Sequence, residues 1–339
     1  MNNISWHIEA TSKCILECPL CDRTWFYKKF KKRKLHEINV DHLLNFFDGQ
    51  SYHVHFCGNN GDPIYHSEFH ELCQRLKKIN CSIDITTNGS KKSIEWWEKL
   101  GSILTTEDEI KFSIDGLQDT NKLYRINSDW DSIMQGFKII KKYQIKTVWK
   151  FIVFKHNQHQ VTEAKTLSQQ LGFQSIRFQY SDRFLKDKKT IVYENNKQTH
   201  ILEQASDQDT IHELTKSNQN EFYTKKLFKI KHDPIECPWA KQKKLFINNV
   251  GWVLPCCHMA NILAGKQIYK KLFEKIIGSY DKINLHYYSL EQILLSKIYL
   301  KQIPNSIVSN RPHPNCIEHC STTLSKNKIR SNESTLLNS

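Results

Sequence analysis

The sequence predicts an α/β fold. Between residues 6 and 178, runs of strand character alternate six times with stretches at helical spacing, and the loops between them are short. That order implies parallel strands joined by right-handed crossovers. A different pattern follows: a long polar stretch, then a β-hairpin flanked by cysteines and a helical run, which reads as a smaller α+β region.

Trp6 to Ala10 alternates and reads as the first strand, and Val40 to Phe47 has helical spacing. Val54 to Cys57 is the second strand. Ser67 to Ile79 reads as a helix with Phe69, Leu72, Leu76 and Ile79 on one face. Ile83 to Thr86 is the third strand, Lys92 to Leu100 a helix, and Ile110 to Ile114 the fourth strand. Ser132 to Tyr143 is helical, and Val148 to Phe154 is a buried-looking fifth strand. His159 to Leu171 is a helix capped by Gly172, and Ser175 to Phe178 is the sixth strand. Residues 181–232 are rich in Lys, Gln, Asn and Asp and read as a linker with one helix at Thr210 to Thr215. Lys244 to Asn248 and Trp252 to Pro255 flank Asn249-Val250-Gly251 as a hairpin. Ser289 to Gln302 reads as a helix with Leu290, Ile293, Leu294, Ile298 and Tyr299 on its apolar face. From Ser325 onward the chain is polar and reads as disordered. The expected division is a core at 1–180, a linker at 181–232, an auxiliary domain at 233–325 and a tail at 326–339.

Three groups of residues carry chemistry. The first is Cys14, Cys18 and Cys21, spaced C-x3-C-x2-C. Thiolates are soft ligands, and three on a short loop suit an iron–sulfur cluster with one iron left open to a small molecule. A zinc site, with His7 or His36 as a fourth ligand, or three core cysteines are the other readings. The second group is Cys237, Cys256, Cys316 and Cys320. The hairpin brings Cys237 and Cys256 together, and Cys257 is an adjacent candidate. Four thiolates suit zinc as well as an iron–sulfur cluster. Cys57, Cys73 and Cys81 lie in strand or helix runs and read as small core residues. The third group is polar and sits at strand ends, where parallel sheets place ligands. In Gly58-Asn59-Asn60-Gly61-Asp62-Pro63, glycine lets backbone approach a ligand and Asp62 adds an acceptor, although the same residues make ordinary turns. Ser113, Asp115-Gly116 and Tyr124-Arg125 follow the fourth strand, and Arg125 also reads as a surface salt bridge.

These motifs together resemble the radical S-adenosylmethionine (radical SAM) enzymes, over most of residues 5–325. The resemblance implies a partial (β/α)6, TIM-like barrel with a small α+β auxiliary iron–sulfur domain of the twitch or SPASM type. It implies a [4Fe-4S] cluster on Cys14, Cys18 and Cys21 whose open iron chelates SAM. Reductive cleavage of SAM to a 5′-deoxyadenosyl radical and hydrogen abstraction from a peptide side chain or small polar metabolite would follow. The segment Gly61-Asp62-Pro63 would hold the SAM amino group, and Ser113, Asp115 and Arg125 would contact its carboxylate or ribose. Asp62 stands where the family has Glu, and Leu20 where an aromatic residue often precedes the third cysteine. Cys237 to Cys256 follows the pattern C-x13-G-x4-C of the auxiliary domain. Too few C-terminal cysteines remain for two such clusters, so the twitch form, with Cys237, Cys256, Cys316 and Cys320 on one second [4Fe-4S] cluster, is implied. That cluster would accept an electron from the substrate radical or bind substrate. An electron donor such as flavodoxin or ferredoxin is implied as a partner. With the triad starting at residue 14, no room is expected for a separate N-terminal leader-peptide recognition domain, which weighs against a peptide substrate.

Composition agrees with a folded enzyme. Of 339 residues, 39% are hydrophobic, which excludes a disordered chain. No apolar run is long enough to span a bilayer, and the N-terminus lacks a signal peptide. Eleven cysteines without an export signal point to a reducing, cytoplasmic location and to metal binding. The net charge of +14 is spread along the chain, apart from a basic run at 28–34, and reads as a solvated surface rather than a nucleic-acid stripe. The rival class is a non-catalytic zinc- or nucleic-acid-binding protein that uses this basic surface.

Overall fold

The computed structural model describes residues 5–24, 27, 35–44, 52–181, 183–184, 188–194, 197–206, 235–260, 267–309, 312–320 and 334–337. The basic run at 28–34, the end of the first expected helix and the helix expected at Thr210 to Thr215 lie outside these residues. In chain order the elements begin with β1 (Ser5–Ile8), α1 (Val40–Leu44), β2 (His53–Phe56), α2 (Phe69–Lys78), β3 (Ser82–Thr87) and α3 (Ile94–Ile103). There follow β4 (Glu109–Ser113), α4 (Asn121–Tyr124), α5 (Trp130–Lys142), β5 (Lys146–Val153), α6 (Val161–Leu171) and β6 (Ser175–Tyr180). The remainder comprises β7 (Lys189–Glu194), β8 (Lys197–Glu203), α7 (Pro238–Lys241), β9 (Lys244–Ile247), β10 (Val253–Leu254), α8 (Cys257–Ala260) and α9 (Gln267–Ile277). The last elements are α10 (Leu290–Leu294), α11 (Ile303–Val308), α12 (Pro314–Cys320) and β11 (Ser334–Leu337). All six predicted strands form, and so do the predicted helices between them, the first described only to Leu44. The chain divides into two compact units: Met1–Lys13, Lys31–Ile83 and Glu221–Ile329 in the first, and Cys14–Phe30, Asp84–Asn220 and Arg330–Ser339 in the second.

The first unit carries the strands β10-β9-β1-β2 in that order. β1 lies parallel to β2, with Trp6 opposite Val54 and Ile8 opposite Phe56, and parallel to β9, with Ile8 opposite Ile247. Alternation sends Trp6, Ile8, Val54 and Phe56 to one buried face, where Phe69 of α2 meets Phe56 edge-on at 5.3 Å. On the other face His7 pairs with His55 at 4.9 Å between rings. α2 buries Phe69, Leu72, Cys73 and Leu76, the expected stripe, while Ile79 caps the helix instead of extending it. The helix expected over Ser289 to Gln302 is interrupted. α10 starts from a Ser289 capping box and stops at Leu294, and a π turn at Ile298–Gln302 leads into α11. Pro304, which has no N–H for the preceding turn, stands just after the π turn.

The second unit carries β3-β4-β5-β6-β11, parallel except for β11. Trp149, Phe151, Ile176 and Phe178 face the helices and are fully buried, and Phe137 stacks on Phe173 at 3.8 Å beneath them. Gly136 lets two helices approach closely, since a Cβ there would stand 2.5 Å from the Trp97 ring. The opposite strand face is polar. Lys111 bridges Asp84 at 2.7 Å and Glu109 at 2.8 Å.

Two features differ from the sequence reading. Inside the stretch read as a linker, β7 and β8 form an antiparallel hairpin whose Val192 and Leu202 are buried. Its alternation is a strand signal obscured by the many polar residues of the stretch around it. In the tail read as disordered, Ser334–Leu337 pairs with β6.

Candidate active site

The cysteine loop belongs to the second unit and is tied down by backbone. Glu17 N donates to Ile126 O at 3.1 Å and Cys21 N to Cys18 O at 3.0 Å, while Arg23 reaches Leu16 O. Leu16 and Cys18 are buried in an apolar cluster with Tyr124, Ile126, Phe154, Val192 and Leu202, and Cys14, Leu20 and Cys21 pack against it. All three thiols therefore border one patch. Leu16 N and Asn88 Nδ2 approach Cys14 Sγ at 3.4 and 3.7 Å. Burial pushes the Cys18 thiol up to about 11, against the pull of Arg125, whose Nη1 lies 3.9 Å from its sulfur.

Arg125 is more deeply embedded than a surface ion pair. Its Nε donates to Asp115 Oδ2 at 2.6 Å, and Asp115 is 0% exposed. Burial works against the Arg125 charge, but Asp115 and Cys18 outweigh it and hold the guanidinium cationic. Asp115 Oδ1 accepts from Ile152 N at 2.5 Å, and its own N–H donates to Asn121 Oδ1 at 2.8 Å. Asn157 Nδ2 donates to Asp115 O at 2.9 Å. The strand-end turn after Ser113 is thus a saturated network that aims Arg125 at Cys18. The surface-salt-bridge reading of Arg125 is incorrect, because its partner has no access to water.

The second expected contact segment lies in the first unit. A Cβ on Gly61 would collide with the Thr11 carbonyl and stand 2.8 Å from Ser12 Cα, so the loop lies flat on that backbone. Asp62 N donates to Lys13 O at 2.9 Å, and Asn60 N donates to Glu9 Oε1 at 2.7 Å. Asp62 caps a single 3-10 turn, Pro63–Tyr65, by accepting from Ile64 N at 3.3 Å, with Pro63 in the first turn. The Asp-Pro pair was a legible capping signal that the resemblance to an amine-binding acid obscured. Of the alternative ligands, His7 Nε2 donates to Cys57 O at 3.1 Å and its ring stacks on Trp239 at 5.7 Å. His36 N–H is bound by Ser12 Oγ at 2.8 Å.

The four C-terminal cysteines all lie in the first unit and meet. Cys237, Cys256, Cys316 and Cys320 line one cavity with Ile235, Met259 and Phe273, among others. Glu236 N donates to Cys320 O at 3.0 Å, which pins the end of α12 beside Cys237. Burial pushes the Cys316 thiol up to about 12, with Cys320 and Cys237 adding to it, and Cys256 is raised by burial and by Cys257, Cys316 and Cys320. Cys257 is not among the lining residues, although its carbonyl accepts from Asn59 Nδ2 at 3.3 Å. Of the remaining thiols, Cys73 and Cys81 are buried and Cys57 is half-buried. Among the described residues, no three His, Cys, Asp or Glu side chains converge closely enough to hold a single metal ion.

Comparison with known proteins agrees with this geometry. The sequence model of the Radical SAM superfamily matches residues 8–167. A tungsten-containing aldehyde ferredoxin oxidoreductase cofactor-modifying protein of Pyrococcus furiosus is 22% identical over 326 residues, 92% of this chain and 86% of that protein. The fold is similar to that of anSMEcpe, solved with AdoMet and the Kp18Cys peptide, with a TM-score of 0.55, 13% identity, and coverage of 97% of this chain and 92% of that one. It is also similar to Streptococcus suis SuiB bound to S-adenosylmethionine, with a TM-score of 0.51 and 14% identity over 75% of this chain. The chain spans 60% of the length of SuiB. No helix among the described residues is long and apolar enough to cross a membrane. Residues 8–167 match the Radical SAM superfamily, and the α/β architecture agrees with the partial (β/α)6 barrel expected for that group.

Proposed function

We propose that Cys14, Cys18 and Cys21 hold a [4Fe-4S] cluster, and that the enzyme uses it with SAM to oxidise or form a bond in a peptide side chain or a small polar metabolite. The donor set fits the group: three thiols border one apolar patch, and a cation offsets the charge of the most buried thiolate. A reduced cluster held there would supply one electron to SAM, whose sulfonium C–S bond would break to give methionine and a 5′-deoxyadenosyl radical able to take hydrogen from the substrate. Arg125, held by Asp115, keeps positive charge beside Cys18 and, with Ser113, contacts the SAM carboxylate or ribose. Gly61 and the backbone at Asp62 and Pro63 receive the SAM amino group, with Asp62 acting by shaping the turn. The peptide option rests on the peptide in the anSMEcpe structure, and the metabolite option on the cofactor-modifying name of the Pyrococcus protein. A cytoplasmic location and an electron-donor protein belong to the same reading.

The auxiliary part of the proposal is a second [4Fe-4S] cluster on Cys237, Cys256, Cys316 and Cys320, within a twitch-like domain at 233–325 that follows the radical SAM core at 1–180. Four thiols lining one cavity suit such a cluster as they suit a tetrathiolate zinc, and the iron and sulfide content separates the two.

The observation that carries the reading is the buried chain from Asp115 through Arg125 to Cys18. Anaerobic reconstitution followed by dithionite reduction tests it. Wild-type protein is expected to release 5′-deoxyadenosine from SAM, and Cys14→Ala, Cys18→Ala and Cys21→Ala to remain folded and release none. A triple variant that still makes 5′-deoxyadenosine, or zinc without sulfide in the purified protein, defeats the reading.

A further inference from the structure

We propose that the outer face of the β7–β8 hairpin is the docking surface for an acidic one-electron donor protein. This rests on the reading of the cysteine triad given above. The hairpin has two faces of opposite use. Inward, Val192 and Leu202 are 1% and 0% exposed and sit in the same apolar cluster as Leu16 and Cys18. The hairpin is therefore the cover of the triad loop within its unit. It is firmly mounted: Lys155 N donates to Glu203 O at 3.1 Å, His200 Nε2 lies 2.9 Å from Leu123 O, and Lys155 pairs with Glu203 at 2.9 Å.

Outward, Ile191 and Ile201 are cross-strand partners, each 48% exposed, and Tyr193 beside them is 44% exposed. Single exposed apolar side chains are ordinary, but three on one face of a two-stranded ribbon form a patch that marks an interaction site. On and beside the hairpin Lys155, Lys188, Lys189 and Lys197 are exposed, four cations against the half-buried Glu194 and Glu203, of which Glu203 pairs with Lys155 and Lys189. Arg183, an exposed cation shortly before the hairpin in the chain, donates to Leu20 O at 3.2 Å, beside Cys21. An apolar centre with a basic rim is complementary to an acidic partner with an apolar centre. A second copy of this chain would instead bring two basic rims together, which disfavours self-association here. A partner seated on the patch stands about one β-layer, ~10 Å, from the thiol loop. In the step it serves, the donor gives up one electron and is oxidised by one electron, the cluster gains that electron, and no bond forms or breaks.

The test uses the full chain and reduced flavodoxin as the acidic probe. Two double variants are made, Lys188→Glu with Lys197→Glu, and Ile191→Ser with Ile201→Ser. Calorimetric titration at low salt, on cluster-free and reconstituted protein, is expected to show about tenfold or greater loss of flavodoxin affinity in both variants, in line with the 10–10³-fold range of electrostatic steering. Wild-type affinity is expected to fall with added salt. Flavodoxin-driven 5′-deoxyadenosine formation should drop in parallel, while the dithionite-driven rate and the iron content stay at the wild-type level. Unchanged flavodoxin affinity in both variants overturns the proposal. So does a sedimentation shift showing that the patch holds a second copy, or a peptide-binding defect with donor affinity intact. If dithionite itself elicits no SAM cleavage in the wild type, the reading of the triad fails, and the titration still decides the docking surface.

Discussion

Replacing Arg125 by Met is expected to destabilise the fold before it affects any ligand. Asp115 is 0% exposed and its Oδ2 accepts from Arg125 Nε at 2.6 Å, with Ile152 N as the donor to the other oxygen. Methionine fills much of the arginine stem but leaves a buried carboxylate with its countercharge gone. Breaking a buried ion pair in this way costs about 3–5 kcal/mol. With an unfolding entropy of about 2.1 cal/mol/K per residue over 339 residues, that loss lowers the melting temperature by about 4–7 °C. Asp115→Asn alone leaves the guanidinium buried beside Cys18 and should also destabilise. The double variant, which removes both charges, should recover a large part of the loss, because the pair couples directly. Thermal and urea unfolding of cluster-free protein measure all three. An Arg125→Met loss below about 1 kcal/mol, the range of exposed pairs, refutes the argument from burial.

Iron and sulfide assays should find about eight irons per chain after reconstitution and about four in the triple Cys14, Cys18, Cys21 variant, two cubanes against one; one zinc and no iron in that variant removes the auxiliary cluster. Gly61→Ala should cost about 1–3 kcal/mol by overpacking against the Thr11 carbonyl and weaken SAM binding at least tenfold, read by melting and by SAM titration. Stability should also fall in acid through His156, whose imidazole burial holds down at about 4, with His200 and His159 adding to the effect. The unfolded chain takes up a proton near the ordinary 6.5 and the native state does not until about 4, so this stabilisation is complete above pH 6.5 and is lost as the pH falls toward 4. The loss reaches up to about 3 kcal/mol at 1.36 kcal/mol per pH unit, and His156→Phe should flatten the acid limb of the urea-unfolding profile.

The barrel strands were legible because burial on alternate faces leaves a period of two, as in Trp6 and Ile8 or Val148 to Val153. The short spacing of Cys14, Cys18 and Cys21 was readable as one loop, and the fold keeps all three thiols beside one apolar patch. What spacing could not reveal is how a side chain divides its hydrogen bonds. Arg125 reads as a SAM ligand or as a surface cation from its position after β4, and only the fold shows that Asp115 takes its Nε. Asp62 reads as an acid awaiting an amine, yet one oxygen is already used as a helix cap. The β7–β8 hairpin escaped because polar residues dominate the stretch around it and its inner pair, Val192 and Leu202, is only two residues deep.

The parallel pairing of β1 with β9 has a consequence for how the protein is made. Ser5 leaves the ribosome well before its partner Lys244. Until then one edge of β1 has no native neighbour, and an open strand edge is a template for wrong pairing. Contacts so distant along the chain also slow folding, because a large loop must close before they reward it. The first compact unit therefore matures late, after β2 and α2 have formed, and recombinant production should favour conditions that slow synthesis or supply a chaperone to shield that edge.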